Sequence, residues 1–272
     1  MNPKRKSALL WLRNDLRLSD NQAMIAACKY DEVILLYILP EDDEQSWPIG
    51  SASKWWLHHS LDKFQGRLKE LGTQLVYKKG DPHSILPSMV KRYRLDGVFW
   101  NHTYLPEQNA KDEAIAKKLL EKGLAVKRFG GHLLCDPDFL VKRDGSPYQV
   151  YTAFWNSFLN RYEGKLIPKV MKVPPTPKLD RNESLTLSDL NLLPKIPWDE
   201  EFSDQWKPGE ENAKKVLGNF IRSNIDYYDE ERDYPGVKGT SQLSPHLHFG
   251  EITPGHVLTK VMRKYGDINS IS

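Results

Sequence analysis

Five short apolar runs in the first 130 residues leave this chain few folds to choose from. They are "ALLWL" (8–12), "VILLYIL" (33–39), "QLVYK" (74–78), "GVFW" (97–100) and "AVKRF" (125–129). Each is too short for a core helix and is rich in β-branched and aromatic residues, so each reads as a strand. The runs scarcely alternate with polar residues, which predicts strands buried on both faces, as in a parallel sheet. Helical patterns lie between them. In "SKWWLHHSLDKFQGRLKELG", Leu57, Leu61, Phe64, Leu68 and Leu71 follow a helical stripe that Gly72 ends. "PEQNAKDEAIAKKLLEKG" repeats the logic, with Pro106 near its start and Gly123 at its end. Residues 1–130 are therefore expected to form an α/β domain with a doubly wound five-stranded parallel sheet. Its ligand crevice should lie at the carboxyl ends of the strands.

The texture changes after Gly130. Residues 131–200 read as an interdomain linker, because "KVPPTPKLDRNESLTLSDLNLLPKIPW" (172–198) is proline-rich and irregular. Two amphipathic helices follow. "GEENAKKVLGNFIRSNI" places Ala213, Val216, Leu217, Phe220 and Ile221 on one face, and "TPGHVLTKVMRKYG" is the second. Residues 201–272 are thus expected to begin an all-helical domain. So few helices make a poor core alone, and the expectation is a truncated domain.

Composition excludes more than it assigns. With 39 Lys and Arg against 36 Asp and Glu, the formal charge of +3 gives no global footprint for nucleic acid. The two cysteines, Cys28 and Cys135, have no metal-binding spacing. No signal peptide and no run of eighteen apolar residues is seen, so a soluble, cytoplasmic protein with no membrane partner is expected. Eight tryptophans require a large core or stacking surfaces.

The motifs narrow the chemistry further. Neither a GxGxxG nor a Walker A loop occurs, and no GxSxG elbow supports Ser-His-Asp catalysis. His246 and His248 lack partners at metal spacing, so no metal is expected. "LWLRNDLRLSDN" sets Arg13, Asp15, Arg17 and Asp20 at the end of the first strand. They form either an ion-pair cluster, with Asp20 or Ser19 capping the next helix, or a ligand site at the crevice. In "GTSQLSPHLHFGEITP" (239–254), Ser244-Pro245 and Thr253-Pro254 each read as an N-cap before proline, with Gly250 ending a very short helix. Those hydroxyls can instead hold a diphosphate at successive helix starts, with Tyr228 of "DYYDEERDYPGVKGTS" (226–241) covering a flat ring or ribose.

"YDEERDYPGVKGTSQLSPHLHFGEITP" resembles the flavin-binding signature of the DNA photolyase and cryptochrome family, Tyr-x-x-x-Arg-Asp followed by Gly-Thr-Ser-x-Leu-Ser-Pro. "LLWLRNDLRLSDNQAM" and "GGHLLCDPDFLVKRDGSPYQVYTAFWNSFL" resemble the family's opening strand and its interdomain segment. The likeness runs in order along nearly the whole chain. It implies an α/β antenna domain, a long linker and a helical domain binding FAD. Tyr228, Thr240, Ser241, Leu243 and Ser244 would contact FAD, with Gln242 contributing through its backbone. Arg232 matches an arginine that approaches the DNA backbone.

In folate-antenna members an Asn-Glu pair binds the pterin. The matching positions are Glu107 and Gln108, so the antenna is methenyltetrahydrofolate, a deazaflavin or none. The resemblance is closest to class I photolyases. It implies a monomeric carbon–carbon lyase that repairs cyclobutane pyrimidine dimers in DNA by light-driven electron transfer from reduced FAD. That chemistry needs no catalytic acid, base or nucleophile, and none is assigned. The alternatives are a cryptochrome-type blue-light receptor without repair, or an inactive fragment with a folded antenna domain. No tryptophan here is assigned to the family's electron-transfer chain.

Overall fold

The computed structural model describes residues 5–41, 48–162, 169–180 and 182–266. Its first strand, β1 (Ser7–Leu12), is buried along its whole length, as an apolar run without alternation must be. There follow α1 (Gln22–Ala27), β2 (Glu32–Leu39), α2 (Ser51–Glu70), β3 (Leu75–Lys79), α3 (Pro82–Tyr93), β4 (Gly97–Asn101), α4 (Pro106–Leu120) and β5 (Ala125–Phe129). The strands form one sheet in the order β3-β2-β1-β4-β5, every neighbouring pair parallel. The doubly wound expectation is met. The chain winds one way from β1 to β3 and the other way from β4 to β5, so the switch point lies between β1 and β4. Their register aligns Trp11 with Trp100, which brings Arg13 and Asn101 to the same end of the crevice.

Alternate residues of each strand serve two cores. Leu10, Leu12, Leu35 and Tyr37 face α1 and α2, where Met24, Leu57, Leu61, Phe64 and Leu68 are buried. Leu9, Trp11, Ile34, Leu36 and Trp100 face α3 and α4, against Leu86, Ile115 and Leu119. Each fully buried aliphatic side chain contributes roughly 1.5–3 kcal/mol, so both faces of the sheet are strongly held. Gly72 follows α2 with φ 74°, the left-handed turn that stops the helix.

The connection from 131 to 200 contains α5 (Tyr151–Arg161) and lies along the α/β domain. Its Val170, Val173, Leu190 and Leu192 enter the first core. The Leu185 N–H donates to the Tyr77 carbonyl at 3.0 Å, bridging the outer edge of β3. Buried Glu183 fixes the same stretch by pairing with Lys78 at 2.6 Å and accepting from the Tyr93 hydroxyl at 2.7 Å. A sheet edge that would otherwise stay open is thereby covered.

The helical part comprises α6 (Phe202–Gln205), α7 (Glu210–Ser223), α8 (Tyr228–Glu231), α9 (Ser244–His248) and α10 (Pro254–Tyr265). Ala213 and Leu217 of α7 bury against Leu243 and Ile252, with Val216, Ile221, Leu247 and Val257 packed around them. This small core is clamped onto the α/β domain by the loop after β1. The backbone N–H groups of Leu18 and Ser19 donate to the Glu210 carboxylate at 2.8 and 3.1 Å. Arg17, buried throughout, donates to the carbonyls of Asp20, Gly131 and Gly250.

Two capping expectations change. Asn21, and neither Ser19 nor Asp20, caps α1 by accepting from the Met24 N–H. Ser19 is held by Lys214 and Glu210, and Asp20 accepts from the Thr253 hydroxyl, so both face the helical part. Ser244 does not cap α9 either. Leu243 already has a helical backbone (φ −82°, ψ −9°), which makes Ser244 the first residue inside the helix. Thr253 caps α10 as expected, accepting from the His256 N–H. Gly250 ends α9 at φ 62°, with a Cβ there falling 1.8 Å from the Asn14 carbonyl oxygen. Only glycine permits both that turn and that approach.

Candidate functional site

The crevice at the switch point is filled by its own side chains. Arg13 forms a bidentate pair with Asp112 at 3.0 and 2.9 Å and lies 4.4 Å from the Trp11 ring centroid. The Trp100 indole also donates to Asp112 at 3.1 Å. Asp15 accepts from the Arg13 backbone N–H and from the Asn101 side chain at 2.7 and 2.6 Å. The expected ion-pair cluster is met only in part: Arg13 pairs with Asp112 of α4, while Arg17 donates to carbonyls and Asp15 accepts from a backbone N–H and an amide.

Burial governs the titration of this region. It pushes Arg17 below the usual arginine range, although Asp15, Asp20 and Glu210 all oppose the shift. His132, beside the same loop, is pushed down to about 4 by burial; Asp15 opposes this, while Arg17 and Arg13 add to it. Burial also opposes ionisation of Glu210, yet the bonds from Leu18, Lys214 and Ser19 bring its carboxyl below the usual range. The interface is built from buried charges met by backbone groups of the facing element.

The segment from Tyr228 to Ser244 has the opposite character. Gly239 packs so tightly on α8 that a Cβ would lie 2.4 Å from the Glu231 Cβ and 2.9 Å from its backbone. That approach seats Gly239 against the last residue of α8, the helix that Tyr228 begins and Arg232 follows. The Tyr228 ring is braced edge-on by Phe220, with centroids 5.8 Å apart, and the Arg232 guanidinium lies 5.9 Å from the same ring. Arg232 is half-exposed, and its contacts with Asp229 and Asp233 are loose at 3.9 Å. Thr240, Gln242 and Ser244 are exposed, Ser241 is half-buried and Leu243 is buried in the small core.

Local backbone explains this presentation. Gln242 has φ 53° and the next residue is helical, a left-then-right pair that turns successive N–H groups toward one side. Among the described residues, no hydrogen bond occupies the Thr240 and Ser244 hydroxyls, while Ser241 Oγ accepts weakly from the Leu243 N–H at 3.4 Å. Open hydroxyls, adjacent amides and a braced ring are groups that can receive a phosphate-bearing aromatic ligand. The residues present fit FAD on these grounds.

The two antenna candidates open α4. Glu107 pairs with Lys111 at 2.9 Å, and Gln108 Oε1 accepts from the Thr103 hydroxyl at 3.1 Å. Both are exposed, next to a stacked pair of rings, His102 and Tyr104, with centroids 6.1 Å apart. These residues lie on a different element from the 228–244 segment. The structure does not bring the two groups together.

Sequence reasoning missed several buried partners, Asp112, Asn101, Glu210 and Glu251, and the half-buried His132 beside them. Asp112 carried a signal, since with Ile115 and Leu119 it occupies the inward stripe of α4. A carboxylate on an apolar stripe announces a buried partner. Glu251 sits three residues past the end of α9, where its backbone N–H bonds the His246 carbonyl at 2.9 Å, a position set by Gly250. Among the described residues there is no cluster of His, Cys, Asp or Glu able to hold a metal, and no helix long and apolar enough to cross a membrane.

Comparison with known proteins gives a consistent picture. The family described as DNA photolyase matches residues 8–178. A deoxyribodipyrimidine photo-lyase from Agrobacterium fabrum is 40% identical, covering 100% of this chain and 57% of that protein. Cryptochrome-2 of Arabidopsis thaliana is 33% identical over 93% of this chain and 42% of its own length. A crystal structure of a class III photolyase from Agrobacterium tumefaciens superposes with a TM-score of 0.87 at 38% identity, over 100% of this chain and 56% of that one. The chain spans about half the length of the curated relatives it matches.

Proposed function

The chain belongs to the DNA photolyase family, and from that premise we propose that the whole protein repairs cyclobutane pyrimidine dimers in DNA with light. The observation that carries this is the 40% identity to a deoxyribodipyrimidine photo-lyase along the entire chain. The class III subgroup of the enzyme that is 38% identical is the one we adopt, in place of the class I likeness expected from the motifs. When bound, light-excited reduced FAD supplies the electron that splits the dimer.

The chain's own residues have simpler tasks. Thr240 and Ser244 offer hydroxyls, and residues 241–244 offer backbone N–H groups, to the cofactor's phosphates. The Tyr228 ring, braced by Phe220, bounds one side of the ligand. Leu243 anchors the loop in the small core, so its neighbours are held out toward the ligand. Arg232, half-exposed and loosely paired, is left available for a DNA phosphate. Glu107 and Gln108 form the edge of an antenna site whose flat floor is the stacked His102 and Tyr104.

The 33% identity to Arabidopsis cryptochrome-2 supports a second reading, a blue-light receptor with the same cofactor loop and no repair. A dimer-repair assay on the full-length protein separates the two. Light-dependent restoration of thymines in dimer-containing DNA is expected. A protein that carries flavin and restores none is a receptor of the second kind. Expression of the 272 residues alone tests the remaining alternative: a folded but colourless chain would be a fragment unable to hold flavin.

A further inference from the structure

We infer that Trp56, Glu251 and His246 form a positioning contact through which the α/β domain sets the cofactor loop, an inference that rests on the FAD reading above. Glu251 has 0% exposure and His246 only 2%. A carboxylate so placed is costly unless several donors meet it. Its Oε1 accepts from the Trp56 indole N–H at 3.2 Å and from the Gly209 backbone N–H at 2.7 Å. Its Oε2 meets His246 Nδ1. A carboxylate only accepts, which assigns the hydrogen of that contact to Nδ1.

The donors come from three separate pieces of chain: α2 in the α/β domain, the start of α7, and α9. The His246 ring also stands edge-on to Trp56, with centroids 5.0 Å apart at 80°. Phe249 stacks on the same indole, with centroids 6.2 Å apart at 12°. His246 lies two residues after Ser244 on a helix of five residues. So short a helix moves as a unit, and fixing His246 fixes Ser244 and the amides before it. Apolar side chains could have filled the same space among Trp55, Trp206 and Phe249. Directional bonds to one buried carboxylate instead select a single placement of α9 against α2.

The test is a double-mutant cycle in the full-length flavin-loaded enzyme, paired with hydrogen exchange on its apo form. Trp56→Phe keeps a ring and removes the indole N–H, and Ser244→Ala removes one loop hydroxyl. FAD affinity should fall at least about threefold in Trp56→Phe, and the Ser244→Ala effect should shrink by a similar factor in that background. In apo Trp56→Phe, amides of residues 240–250 should exchange faster while those of β1 and β4 stay protected. Glu251→Gln, of nearly the same shape, should repeat the pattern and serves if the first variant folds poorly. Additive flavin effects together with unchanged exchange at 240–250 would overturn the proposal, whatever happens to Tm. If Ser244→Ala alone leaves FAD affinity intact, the flavin reading of the loop fails, and the exchange measurement alone decides whether α2 positions it.

Discussion

The switch crevice and the 228–244 segment are both rich in polar groups, yet the fold treats them oppositely. In the crevice Arg13 pairs with Asp112 and the Asn101 amide nitrogen with Asp15, and Asp15, Asn101 and Asp112 are no more than 2% exposed, with only Asn101 Oδ1 and the neighbouring Trp11 indole nitrogen left without a partner among the described residues. In the segment, Thr240, Gln242 and Ser244 face outward, with the two hydroxyls unoccupied among the described residues. The difference separates polar groups that stabilise from polar groups that wait for something. A buried polar group without partners costs about 1–3 kcal/mol or more, so the crevice had to close on itself. Exposed hydroxyls remain hydrated, so the segment can stay open until a ligand replaces the water.

That contrast is sharpest at the seam between the domains, where the largest effect is expected. Gly250→Ala puts a Cβ 1.8 Å from the Asn14 carbonyl oxygen at a residue with φ 62°. It should cost about 4 kcal/mol or more and detach the helical part, read as an early unfolding transition in urea. A variant of near wild-type stability would mean the loop after β1 does not clamp the helices.

Within the crevice, Asp112→Ala leaves the Arg13 guanidinium and the Trp100 indole without their shared acceptor. Stability should drop by about 3 kcal/mol, because the abandoned charge stays mostly buried. FAD affinity per folded molecule should not change. Flavin loss without destabilisation would move the crevice into the ligand-binding class.

The segment should behave in reverse. Thr240→Ala combined with Ser244→Ala should weaken FAD binding by about 1.5–3 kcal/mol for each lost bond to a phosphate oxygen. Stability of the apo protein should shift by less than about 0.5 kcal/mol, as for other surface changes. A lowered apo Tm with intact flavin affinity would show these hydroxyls to be structural.

Acid tests the crevice without a mutation. His132 titrates normally when unfolded, near 6.5, but only at about 4 when folded. Between those values the unfolded chain binds more protons, so this group's contribution to stability is complete above about 6.5 and falls as pH drops toward 4. His132→Asn should flatten that part of a Tm-against-pH curve. An unaltered slope would assign the acid sensitivity to other groups.

The smallest effect belongs to Arg232, whose pairing is loose and exposed. Arg232→Ala should lower the salt dependence of lesion-DNA binding by about one phosphate contact while leaving flavin content near normal. Flavin loss with an unchanged salt slope would place Arg232, which lies 5.9 Å from the Tyr228 ring, with the cofactor instead.

Local pattern alone determined much of this protein. The five strands, the α2 stripe, the Thr253 cap and the Gly250 stop all follow from residue periodicity and backbone preference, which act over a few residues. The motif spacing from Tyr228 to Ser244 likewise marked the candidate cofactor loop through its resemblance to a family. Only the tertiary structure decided the partners. Asp112 for Arg13, Glu210 for the amides of Leu18 and Ser19, and Trp56 for Glu251 lie 99, 191 to 192 and 195 residues apart. Nothing local encodes those distances. Ser19 and Asp20 take their partners from the helical part, while Asn21, directly before the first turn, caps α1. Those cross-domain partners are set by the cost of burying unpaired polar groups, which exists only once both domains pack together.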